Sequence, residues 1–169
     1  MTLPAFFLVF FLFILVVALM LFYTEFFGAG YFPASDRVVK RMIQFSRLGK
    51  KDVFYDMGCG DGRVLMRAAP FCKKAIGIEI DPLRYILARF NTRKIRNIHV
   101  LRGNFFSNNL KDADVVFIYL QKWSNRRLKD KFLKEMKPGS VIVSHCWTLD
   151  LPLWKKDEKL KVYAYRRTI

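Results

Sequence analysis

The residues able to do chemistry crowd into two segments, VFYDMGCGDGR at 53–63 and GIEIDP at 77–82. In the first, Gly58, Gly60 and Gly62 follow an apolar run and precede a helical one. Glycines there let the backbone turn sharply and approach a ligand without Cβ clashes. Open α/β sheets bind their ligands just beyond such strand ends. Glu79 follows about twenty residues later, the spacing at which a carboxylate accepts hydrogen bonds from ribose hydroxyls. Glu79 reads equally as a solvated strand-end charge. The glycine pattern is G-x-G-x-G, not the G-x-G-x-x-G that aims a helix at a pyrophosphate. Asp56 before the turn and Asp61 inside it make the site negative. Such a site repels phosphate and suits a ligand carrying an ammonium and a sulfonium. A third segment, LRGNFF at 101–106, brings Asn104 to the rim, where its amide matches an adenine edge. Phe105 or Phe106 then stacks on the base, or else fills core.

These segments need strands and helices to hold them. Ser35 or Asp36 caps a helix through Val38, Val39, Met42, Ile43 and Phe45, and Gly49 ends it. Strands are predicted at 52–57, 74–80, 98–102, 113–120, 140–145 and 161–166. Helices are predicted at 63–69, at 82–91 with Pro82 in the first turn, and at 125–136. Strand and helix alternate with short connections, so the fold class is α/β, a mostly parallel sheet with helices on both faces. VVFIYL and SVIVS are continuously apolar, as strands covered on both sides must be.

Before this domain lies a run, 4–23, with no charged residue. It matches a bilayer core in length and has no polar stripe, so one N-terminal transmembrane helix is expected. The division is 1–25 anchor, 26–33 linker broken by Gly28, Gly30 and Pro33, and 34–169 α/β domain. Arg37, Lys40, Arg41, Arg47, Lys50 and Lys51 follow the run, which by the positive-inside rule expects a single-pass protein with its domain on the cytoplasmic side, or the matrix side of a mitochondrial inner membrane. The formal net charge is +16. Lipid through 4–23 is the first partner expected for that charge, and nucleic acid the less favoured one. Trp123, Trp147 and Trp154 either mark a membrane-facing rim or simply pack. Cys59, Cys72 and Cys146 form no C-x-x-C, and with His99 and His145 far apart no metal cluster is expected.

D-x-G-C-G-D-G-R followed by G-I-E-I-D-P resembles motifs I and II of class I S-adenosylmethionine methyltransferases, whose sheet is Rossmann-like. With YFPAS at 31–35, FIYLQKW at 117–123 and VIVSHCW at 141–147, the chain resembles the membrane-anchored mitochondrial protein-lysine methyltransferases acting on ATP synthase subunit c and the adenine nucleotide translocase, and their short archaeal and bacterial relatives. The resemblance runs from about Tyr31 to the C-terminus. It implies S-adenosyl-L-methionine as cofactor and a protein lysine as substrate. It implies that Asp56, Gly58 and Gly60 line the methionine and ribose parts, that Glu79 holds the ribose, and that Pro33 and Ser35 close over the cofactor. Asn104 stands where relatives usually have Asp. Tyr119 is implied beside the reacting methyl. The chain is shorter than the larger relatives, with one strand expected beyond SHCW.

Methyl transfer needs alignment of nucleophile, methyl and sulfur. A lysine must also be neutral, and desolvation lowers its pKa. Tyr119 is expected to orient the amine, or to be a core aromatic. His145 is a candidate proton acceptor, or a structural hydrogen-bonder at a strand end. The N-P-P-Y type tetrapeptide of base and glutamine methylation is absent. A membrane lipid or quinone, or RNA, is the alternative substrate, and a non-enzymatic membrane-bound interaction module is the remaining reading.

Overall fold

The computed structural model describes residues 3–27 and 32–168. The chain divides into two units, Met1–Phe32 and Pro33–Ile169.

The first unit is one helix, α1 (Leu3–Phe27). Among the described residues no helix is long and apolar enough to cross a membrane. That finding overturns the expected transmembrane helix and the single-pass membrane location, and with it the cytoplasmic or matrix side assigned to the domain. The linker expected at 26–33 falls largely outside the described residues.

The second unit begins with α2 (Asp36–Ser46), capped by Ser35, whose hydroxyl accepts the Val38 N–H. Then follow β1 (Val53–Met57), α3 (Arg63–Ala68), a 3-10 turn (Ala69–Phe71), β2 (Lys74–Glu79), α4 (Pro82–Thr92), β3 (Ile98–Arg102) and β4 (Val115–Ile118). The chain finishes with α5 (Lys122–Glu135), β5 (Val141–His145), β6 (Leu153–Asp157) and β7 (Val162–Arg166). The strands form one sheet in the order β3-β2-β1-β4-β5-β7-β6. The first five are parallel, and β7 runs antiparallel to both β5 and β6.

Both faces of the central strands are covered. Phe54, Ala75, Val115, Phe117, Val141 and Val143 share one core with Val38, Val39 and Met42 of α2 and Leu65 of α3. The alternate residues Tyr55, Met57, Ile78, Val116, Ile118 and Ile142 are buried too, as are Leu128 and Phe132 of α5. β4 is buried at all four positions, which explains its unbroken apolar sequence. Sequence reading expects one strand after β5, and the structure has two. LWKKD does not alternate: Trp154 and Lys155 are both half-buried, so β6 carries no period-2 signal.

The crossover order reverses between β1 and β4, because β2 and β3 lie on one side of β1 and β4 and β5 on the other. Ligands in open sheets bind at this switch point, beyond the carboxyl ends of the strands.

Candidate active site

At the end of β1 the chain turns through Gly58, Gly60 and Gly62, all with positive φ (78, 56 and 82°). The turn is pinned to β2, since the N–H groups of Gly58 and Cys59 both donate to the Ile78 carbonyl at 2.8 and 3.1 Å. Gly62 is the N-cap of α3, and a Cβ there meets Thr92 and Ala88 of α4 at 3.0–3.4 Å. Only glycine combines that left-handed backbone with so close an approach. Gly77, inside β2, is needed for space alone. A Cβ on it lies 2.5 Å from Leu65 and 2.7 Å from the Cys59 sulfur. Sequence reading did not single out Gly77, although a lone glycine inside an apolar strand signals a close neighbour.

Glu79 is buried at the tip of β2. One carboxylate oxygen accepts the Gly60 N–H at 2.8 Å and the other the Asp81 N–H at 2.9 Å. Its backbone carbonyl accepts the Gly103 N–H at the tip of β3. Glu79 therefore ties three strand ends together, beyond any part it plays toward a ribose. Burial pushes its pKa up, and the two backbone donors pull against that rise. Each oxygen keeps a lone pair for a further donor.

Asp56 lies near the end of β1, just ahead of the turn, 6% exposed. Its Oδ2 is buried with no hydrogen-bond partner among the described residues. Burial, then the charges of Glu79 and Asp61, push its pKa to about 8. An unpaired buried carboxylate oxygen is costly unless a donor reaches it, so a cationic ligand fits here. Asp61 differs from expectation. Arg63 holds its carboxylate through Nε and Nη2 at 2.8–3.1 Å, so its charge is already matched.

The candidates beyond this turn are spread out. Asn104, exposed after β3, uses its amide oxygen to accept the Phe106 N–H at 2.9 Å. Phe105 is buried, tilted against the half-buried Phe106 at 4.6 Å. Pro33 is exposed, and the Ser35 hydroxyl is engaged as the cap of α2.

At the tips of β4 and β5, Tyr119 and His145 stand together, ring centroids 4.3 Å apart. His145 Nδ1 faces the Lys161 carbonyl at 3.1 Å. A carbonyl only accepts, so Nδ1 carries the proton and Nε2 faces the Cys146 sulfur at 3.6 Å. Burial lowers the His145 pKa, which keeps the ring neutral. With both nitrogens engaged, its geometry matches a structural hydrogen-bonder. Tyr119 is half-buried; burial, then the neighbouring Cys146 thiol, raise its pKa, so its hydroxyl stays protonated. Cys146, at φ 68°, completes this cluster, and nothing in the sequence signals it.

Known proteins share this frame. The family model of the ANTKMT methyltransferase domain matches residues 56–158. A protein-lysine N-methyltransferase of Saccharolobus islandicus is 37% identical over 137 residues, 78% of this chain and 84% of that protein. A probable ribosomal RNA small subunit methyltransferase A of Methanosarcina barkeri is 33% identical over 78 residues, 45% of this chain and 26% of that protein. An RNA methyltransferase from Salinibacter ruber, solved in complex with S-adenosyl-L-homocysteine, superposes with a TM-score of 0.77 at 30% identity, covering 81% of this chain and 94% of that one. The sheet is the Rossmann-like class I methyltransferase fold, and S-adenosyl-L-methionine is the cofactor. The chain belongs to the ANTKMT methyltransferase domain family and is an S-adenosylmethionine-dependent methyltransferase.

Proposed function

We propose that this enzyme methylates the side-chain amine of lysine in proteins. The 37% identity to a protein-lysine N-methyltransferase along most of both chains carries the substrate class. On the cofactor side, the supporting observation is the orphaned Oδ2 of buried Asp56. Asp56 accepts from the cofactor's ammonium, and Glu79 accepts from the ribose hydroxyls while keeping Gly60 in place. The backbone of Gly58 and Gly60 lines the ribose and methionine parts. Asn104 offers its remaining amide N–H₂ to the adenine, and Phe105 supports the base from beneath. Pro33 and Ser35, ahead of α2, close over the bound molecule.

Bound S-adenosylmethionine supplies a methyl on a cationic sulfur, transferred to an amine lone pair as the C–S electrons return to sulfur. The protein's own task is to present that amine neutral and in line. Tyr119, protonated and half-buried at the tip of β4, accepts a hydrogen bond from the amine and orients its lone pair. The apolar strand ends around it disfavour the ammonium form, and the proton leaves to water before transfer. His145 holds the Tyr119 ring from beneath rather than taking the proton.

RNA is the second reading, favoured by the Salinibacter ruber RNA methyltransferase at 30% identity and by the net charge of +16. Labelled S-adenosylmethionine, incubated with the enzyme and a cell extract, separates the two. Label is expected in protein and, after hydrolysis, in methylated lysine. Label confined to RNA or to the lipid extract ends the lysine reading.

A further inference from the structure

We infer that the groove between the start of α5 and the loop after β5 receives an acidic segment flanking the target lysine. The inference rests on the lysine reading and adds a sequence preference to it.

The groove is a cavity of about 430 Å³ lined by Gln121, Lys122, Trp123, Arg126 and Trp147. It lies beside the reacting centre. Gln121 follows Leu120, whose side chain lies 3.0 Å from where a Cβ on Gly58 would be. Trp147 lies two residues beyond His145. A substrate whose amine reaches Tyr119 therefore has this groove close at hand for its neighbouring residues.

Its walls are exposed, and the ring of Trp123 and the backbone of Trp147 are fixed by hydrogen bonds. Trp123 and Trp147 are 40% and 44% exposed. The Trp123 indole N–H donates to the Gln121 side-chain oxygen at 2.7 Å. The carbonyl of Trp147 accepts from the buried Asn125 amide at 3.2 Å and from the Ser144 hydroxyl. Asn125 also donates to Ser144, locking the first turn of α5 to β5. A large aromatic ring held like that of Trp123 loses little entropy when a chain settles on it.

The charge then selects the occupant. Lys122 and Arg126 line the groove and no carboxylate does. None of the salt bridges among the described residues uses Lys122, Arg126 or Arg127. Arg127 instead lies over Phe106 at 4.3 Å, which extends the cationic rim toward the cofactor side. A lysine approaching this rim is repelled as a cation. Aspartates or glutamates beside it turn that repulsion into attraction and fix the register. Cations beside aromatics also suit single-stranded RNA. The peptide is favoured because the groove's residues Gln121 and Trp147 stand two residues beyond Tyr119 and His145, and the lysine methyltransferase relative spans most of the chain.

The test uses the full chain and three synthetic peptides of equal length. Each has one lysine, flanked by Asp and Glu, by Ala, or by Arg. Methylation is followed by mass spectrometry. Binding in the presence of S-adenosylhomocysteine is followed by fluorescence anisotropy. The acidic peptide is expected to exceed the neutral one about tenfold in kcat/KM and in affinity, an advantage that shrinks with salt. The double variant Lys122→Glu with Arg126→Glu is expected to shift the preference to the basic peptide while S-adenosylhomocysteine binding, measured by calorimetry, stays unchanged. Equal methylation of all three peptides, or a variant whose preference is unmoved, overturns the inference and leaves lysine methylation standing. Methyl transfer to a poly-uridine strand and to no peptide overturns both.

Discussion

At the tips of β1 and β2 the polar groups are buried carboxylates, Glu79 gripped by backbone N–H groups and Asp56 with one oxygen unpartnered among the described residues. At the tips of β4 and β5 they are aromatic and cationic, more exposed, and held by side chains. Glu79 and Asp56 are 4% and 6% exposed, whereas Trp123 and Trp147 are 40% and 44%. In the proposed assignment the first region recognises one invariant cation and can be finished before it arrives. In the same assignment the second admits a chain from outside, so its selectivity would rest on surface charge and exposed rings. A buried carboxylate site fails when one bond is lost. A surface rim degrades by degrees.

The largest effect should follow Glu79→Ala. It strips the acceptor from the buried N–H groups of Gly60 and Asp81. At about 1–3 kcal/mol for each unsatisfied donor, the substitution should cost several kcal/mol of stability and at least about 100-fold in cofactor affinity. Chemical denaturation and calorimetry measure the two. Glu79→Gln, which keeps an acceptor oxygen, should recover part of the stability. A Glu79→Ala protein as stable as the parent would show that the β1–β2 region does not depend on this knot.

Asp56 comes next, through pH. Its folded pKa of about 8 lies above the ordinary carboxylate value of 3.8. The folded, cofactor-free protein therefore holds a proton that the unfolded chain releases. The stability this contributes is full below pH 4 and is lost as pH rises toward 8. A cationic ligand favours the ionised form. Affinity for S-adenosylmethionine should thus tighten between pH 6 and 7.5, by up to about tenfold per pH unit. Asp56→Asn should flatten both slopes. A wild-type affinity independent of pH across that window removes Asp56 from the cofactor's ammonium.

Gly77→Ala tests the packing under the same turn. The new methyl is driven against Leu65 and Cys59. The cost should be about 1–3 kcal/mol, read as a lowered denaturation midpoint with a weaker grip on the cofactor. An unchanged midpoint would mean that α3 and the turn shift freely.

The same contrast governs what could be read in advance. The glycine turn, Glu79 and the order of strands and helices were legible because backbone conformation and period leave marks in residue type. Each predicted element through β5 appears, with ends moved by a few residues. β4 is shorter than 113–120, and α5 starts three residues earlier than 125–136, at Lys122. β6 was not legible, because its lysines and Trp154 sit on an edge that selects no alternation. The coupling of Glu79 to two backbone donors was hidden, since an amide's partner depends on how the strands align. Nothing local marked Cys146, nor the Asn125–Ser144–Trp147 network, whose members meet across 22 residues of chain. The transmembrane expectation was the strongest one overturned. Hydrophobicity of a run was legible, but the span it implied is not among the described helices.

Tyr119→Phe should have the smallest effect and sharpens the comparison most. The substitution keeps the ring against His145 and removes only the hydroxyl. Because the raised pKa keeps that hydroxyl neutral, no charge is lost with it. If Tyr119 orients the amine, kcat should fall by up to about tenfold, the worth of about one hydrogen bond, with cofactor affinity and melting temperature unmoved. If the ring only packs, kcat should match the parent. Rapid-quench single-turnover rates with saturating substrate isolate the chemical step from binding and release. A fall in cofactor affinity alone would instead place the hydroxyl on the cofactor side, joining the tip of β4 to the buried half of the site.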